Sequence, residues 1–304
     1  MSALLSVELR RLAARRLVRM AVAAMILGIV IAGVVTFFRS HRLSAETLRA
    51  QQIEREQFIN ECLSGQGPLA QPVPPGFSPQ PPTRQECEGV VFGPTDPRFH
   101  LTSLKQVFEG TTVPLVLLAW ILGASFIGAE WHAGTVSTLL TWEPRRIRVL
   151  LAKAAVFMIA AFVGALAFHA LLGLALWPAA AARGSMEGAG SAWFGQITGV
   201  ALRGAALVSI GAAVGFAIAS VARSTAAALG VGFAYLLVLE NLIGVLRPGW
   251  RSWFFSWNAI VFVSASRSHD AIPRTPVEAG LLLAMYGAGC LAIALVAFRR
   301  RDVT

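Results

Sequence analysis

Lysine is nearly absent from this chain. Its 304 residues hold only Lys105 and Lys153, and neither follows a glycine. A phosphate-cradling loop needs Gly-Lys-Ser/Thr, so the chain carries no nucleotide site of that kind. HExxH, GxSxG and CxxC are missing as well, which removes three common hydrolase and redox patterns. Glu130 and His132 make at most half a metal site, and without a third ligand no metal is assigned. Charge is also scarce: 14% of residues are charged against 56% hydrophobic.

What is present is apolar length. Runs of about 20 apolar residues, enough to cross a hydrocarbon core of roughly 30 Å, occur at 19–38, 112–129, 152–177, 198–221, 226–246 and 277–298. The expected fold is an all-α integral membrane protein with six spans. The first run follows Arg10, Arg11, Arg15, Arg16 and Arg19 but lacks a small-x-small cleavage site before Arg39. It reads as a retained anchor rather than a secretory signal.

The net charge of +10 is unevenly spread. Residues 1–19, 130–153, 222–225 and 299–304 together carry 13 Lys and Arg against 4 Asp and Glu, a net of +9. The alternate segments 39–111, 178–197 and 247–276 carry 12 against 10, a net of +2. The positive-inside rule then puts both termini in the cytoplasm of a bacterial-type plasma (inner) membrane. That placement accounts for the basicity by topology and lipid headgroups, with no nucleic acid as partner.

Along the chain, residues 1–18 suit an interfacial amphipathic helix with Leu5, Leu9 and Leu12 on one face. An outside loop spans 39–111, and its middle, PLAQPVPPGFSPQPP, holds seven prolines. Such a stretch is an extended connector rather than a core. Cys62 and Cys87 flank it. In an oxidising compartment they pair; the alternative is two free thiols on a mobile loop. Residues 247–276 contain an apolar stretch, Trp253 to Ala265, too short to cross, which suits re-entrant or interfacial helices with Trp250, Trp253 and Trp257 at the headgroup level.

Ionisable groups inside spans are costly and are paired or functional. Arg203 lies about five residues, and Glu240 about six, from the outer ends of spans four and five. At about 1.5 Å rise per residue they reach similar depth and would pair. With His169 and Asn241 they form an expected polar layer, either structural or facing a substrate.

Residues 128–153, GAEWHAGTVSTLLTWEPRRIRVLLAK, join spans two and three on the basic side. Gly134 and Thr135 precede an apolar turn at Val136, Leu139 and Leu140, then Pro144 breaks the helix before Arg145 and Arg146. A short amphipathic helix of this kind suits docking into a groove of a soluble partner. The order Glu130, Gly134, Thr135, Leu139–Leu140, Pro144, Arg145–Arg146 and Lys153 resembles the cytoplasmic segment of permease subunits in type-2 ABC transporters. The ending FRRRDVT and the N-terminal ELRRLAARRL are similar to those permeases too.

The resemblance implies a single permease domain over 1–304, with residues 130–151 as its coupling segment. It also implies two copies of a separate ATPase subunit, which would bind ATP and Mg, and a second permease copy, identical or related. The chain itself would then be no enzyme and would bind no cofactor. Its cargo would be an amphipathic compound, lipid or peptide moving outward. The long proline-rich loop departs from the family pattern. A membrane scaffold or immunity protein, and an intramembrane enzyme using His169, Arg203 and Glu240, are the competing readings.

Overall fold

The computed structural model describes residues 2–41, 44–64, 83, 84, 87, 97–135, 146–265 and 274–300. No strand occurs among them. In chain order the helices are α1 (Ser2–Ala14), α2 (Arg16–Arg39), α3 (Ala45–Leu63), α4 (Leu104–His132), α5 (Arg146–Pro178), α6 (Ser191–Ala222) and α7 (Thr225–Phe233). A π-helical stretch, Ala234–Leu239, leads into α8 (Glu240–Leu246), and a 3-10 helix, Pro248–Trp253, precedes α9 (Phe255–Ser264) and α10 (Pro276–Arg300). Among the described residues, six helical stretches are long and apolar enough to cross a membrane: Arg16–Arg39, Leu101–His132, Ile147–Arg183, Ser191–Ala222, Thr225–Leu246 and Pro276–Arg300. Each covers one of the six apolar runs in the sequence. The 10-residue α9 is apolar but too short to cross.

The chain divides into two compact units. The first comprises residues 1–32, 102–175 and 188–304. Its core is built around α4 and α6, which approach closely because their facing positions are small. A Cβ on Gly123 would lie 2.6 Å from the Ala212 carbonyl oxygen, and one on Gly211 would lie 2.8 Å from the Val116 side chain. Gly211 and Gly215 form a GxxxG pair on α6, and in lipid such small residues let dispersion contacts act between backbones. Leu115, Phe126, Phe157, Val208 and Phe216 fill the space around this seam, with Phe298 of α10 and Leu12 of α1 joining the same cluster. α6 is the most enclosed span, 61% buried in its apolar window, and α2 the least, at 11%.

The second unit comprises residues 33–101 and 176–187. Ser44 caps α3 by accepting a hydrogen bond from the Thr47 amide at 3.2 Å. Near the end of α3, Cys62 is disulfide-bonded to Cys87, and Ile59 packs against the pair. The free-thiol alternative is therefore set aside. The stretch 97–101 runs beside Ser185: the Leu101 amide donates to the Ser185 carbonyl at 2.9 Å, and the Ser185 amide to the Phe99 carbonyl at 3.1 Å. Ser40 accepts from the Phe99 amide at 3.0 Å, and the Arg183 guanidinium lies 4.4 Å from the Phe37 ring centre. The proline-rich connector lies outside the described residues.

Candidate functional site

At one end of the first unit, α1, the last turns of α4 and the first turns of α5 meet around five charges: Glu8, Arg11, Arg15, Glu130 and Lys153. The Lys153 ammonium donates to Glu8 Oε2 at 2.7 Å and lies 2.9 Å from Glu130 Oε2. Arg15 Nη2 donates to Glu130 Oε1 at 3.2 Å, and its Nη1 donates to the Ser125 carbonyl at 2.9 Å. Both cations also face the Phe126 ring, Arg15 at 4.7 Å and Lys153 at 5.5 Å. The Lys153 side chain is 2% exposed and that of Glu8 4%.

Charge buried to this degree persists only when paired, because the desolvation cost of each ion is several kcal/mol. Glu8 also accepts from Arg11 Nη1 at 3.3 Å, an arginine that is itself half exposed, so three cations meet two anions and the set carries one net positive charge. Burial pushes the Arg15 guanidinium below its ordinary pKa, and the Glu130 carboxylate opposes that shift.

α1 does not present its leucines as one face. Leu12 and Glu8, one turn apart, turn inward and are buried, while Leu5 and Leu9 stay exposed. The buried stripe therefore runs Glu8, Leu12, Arg15. Glu8 and Arg15 were missed as site residues. A lone carboxylate among five arginines marks Glu8 as unusual there but does not say that it is buried.

The segment after His132 leaves α4 through a turn that needs glycine. The Ala133 amide donates to the Ala129 carbonyl at 3.0 Å and the Gly134 amide to the Trp131 carbonyl at 3.2 Å. Gly134 has φ of 67°, the left-handed conformation that ends many helices and carries a steric penalty for residues with a Cβ. Thr135 then ties back, its hydroxyl donating to the Glu130 carbonyl at 3.3 Å. Leu139, Leu140, Pro144 and Arg145 lie outside the described residues. Arg146 is the first residue of α5.

Beside this turn, His132, Arg223, Ser224 and Thr225 line a cavity of about 360 Å³. Arg223 closes α6 in a left-handed conformation, with its guanidinium 4.6 Å from the Trp131 ring centre.

The residues expected as one polar layer separate into different roles. Arg203 and Glu240 do not pair. Glu240 is buried and caps α9, accepting from the Phe255 amide at 2.8 Å, from the Ser256 amide at 3.3 Å and from the Ser256 hydroxyl. The reason is electrostatic: the exposed amides of a helix N-terminus stabilise a carboxylate. Arg203 instead donates its Nε to the Val263 carbonyl near the other end of α9, at 3.3 Å. Equal depth along two spans fixes height but not direction around the helix. Asn241 bonds back to the Leu236 and Leu237 carbonyls at 3.2 and 3.0 Å within the π-helical stretch.

His169 is fully buried. Its ring sits 4.6 Å from that of Phe108; the Phe108 and Ala165 backbones approach it, but neither nitrogen makes a hydrogen bond of good geometry.

Comparison with protein-family models and with curated proteins finds no match to this chain.

Proposed function

We propose that this chain is the permease subunit of an ATP-driven transporter of the type-2 ABC kind, exporting an amphipathic small molecule, lipid or peptide. The observation that carries the reading is the buried cluster of Glu8, Arg15, Glu130 and Lys153. It joins both flanks of the 133–145 connection to the N-terminal helix. A push on that connection therefore acts on α1, α4 and α5 together, as a lever must, because packed helices transmit force as rigid bodies. In this reading residues 130–146 dock on a separate ATPase subunit, present in two copies, that binds ATP and Mg.

The exposed side of α2, where Met20, Leu27 and Phe38 are all well over half exposed, supports coverage by lipid or by a second permease copy. The basic segments then face the cytoplasm, with both termini inside and the chain in a plasma (inner) membrane.

Affinity purification of the full chain from its native membrane tests the assignment. An ATPase with a Gly-Lys-Ser/Thr loop should copurify and hydrolyse ATP in the complex. Thr138→Pro should weaken its retention while membrane insertion stays normal. Recovery of the chain with no such ATPase would contradict the assignment and leave a scaffold.

A further inference from the structure

A second cavity, of about 350 Å³, lies between α4, α6, the π-helical stretch and α9. Its wall is almost wholly apolar, with Val113, Leu117, Leu207, Leu236 and Ile260 among the residues that line it. Four polar side chains also reach the wall: Glu109, Thr112, Ser256 and Ser264. Three of them have their hydroxyls committed. Thr112 donates to the Phe108 carbonyl at 2.7 Å, Ser264 to the Ile260 carbonyl at 2.8 Å, and Ser256 to Glu240.

Glu109 is different. Its Oε1 is buried and has no hydrogen-bond partner. Lys105 Nζ forms a long, partly exposed ion pair with it at 4.0 Å, beyond hydrogen-bond range. Arg203 spends its Nε on the Val263 carbonyl. An apolar chamber with one carboxylate oxygen that no donor hydrogen-bonds, near the lower end of the size range of small-molecule pockets, matches a ligand with an apolar body and one donor. A cationic donor makes the stronger bond to a carboxylate.

We propose that this cavity binds an amphipathic amine, its hydrocarbon part between α4 and α9 and its ammonium on Glu109 Oε1. The ligand's role as cargo rests on the permease reading, whereas its binding does not. The test therefore uses the purified full chain in lipid nanodiscs with no ATPase. The probe is dodecylamine carrying a diazirine at the end of its chain, with labelled residues mapped by mass spectrometry.

Labelling should concentrate on residues 113–117 and 255–264. Unlabelled dodecylamine should compete, and dodecanol should compete on the order of tenfold less well, as loss of one hydrogen bond to a charged group implies. Glu109→Gln should remove that preference for the amine. Ala259→Trp, which fills the chamber from α9, should abolish specific labelling, with the thermal unfolding of each variant confirming that it is folded. Label spread evenly over exposed residues such as Leu27 and Val245, labelling indifferent to Ala259→Trp, or equal competition by the alcohol would each overturn the proposal.

Discussion

Lys153 and Glu8 lie 145 residues apart in the chain and 2.7 Å apart in space. Both side chains are almost wholly buried, so each offsets part of the cost of burying the other. Lys153→Met should destabilise the protein by about 1–3 kcal/mol, because it removes the buried cation shared by Glu8 and Glu130 and leaves them only Arg11 and Arg15. Adding Glu8→Gln should recover part of that loss. Thermal unfolding of the two single variants and the double variant in detergent gives the coupling energy; strict additivity would show that the pair is not formed.

Glu240 serves α9 rather than Arg203. Glu240→Ala should cost about 1.5–3 kcal/mol, the range for hydrogen bonds to a charged group, and should speed hydrogen exchange at the Phe255 and Ser256 amides. Combined with Arg203→Ala, the effects should add to within about 0.5 kcal/mol. A larger coupling between them would revive the ion pair that depth alone suggested.

How much of this was legible in the sequence depended on the range of each interaction. The six spans were readable because burial in lipid demands about 20 apolar residues in a row, a local property. Gly134 was noticed in a motif, but its reason, a left-handed turn after His132, came from the backbone. The Glu8–Lys153 contact was not readable, since nothing local distinguishes a solvated carboxylate in an arginine-rich helix from a buried one. Arg203 and Glu240 were matched in depth along their spans, yet facing directions depend on packing against α9, which no periodicity reports. The cavity beside Glu109 is likewise a product of packing, formed by three transmembrane segments and one short helix.

His169 presents two unpaired nitrogens in a sealed position. Buried polar atoms without partners cost about 1–3 kcal/mol, while the tilted ring contact with Phe108 is retained by any aromatic of similar size. His169→Phe should therefore hold or raise stability, by about 1 kcal/mol. Reduced stability on denaturant titration would mean that the ring nitrogens have partners in the membrane.

Cys62 and Cys87 are joined across 25 residues, and Cys290 is free. One thiol should react with maleimide in unfolded, unreduced protein, and three after reduction. Cys62→Ser should destabilise the second unit by about 2–4 kcal/mol through the freed loop; three reactive thiols before reduction would refute the pairing.

The most direct test of the central claim is photocrosslinking from position 138 in native membranes, with position 53 on α3 as control. The account predicts an adduct between position 138 and an ATPase that bears a Gly-Lys-Ser/Thr loop, and no such adduct from position 53. A chain that inserts normally yet gives no ATPase adduct from position 138 would contradict it.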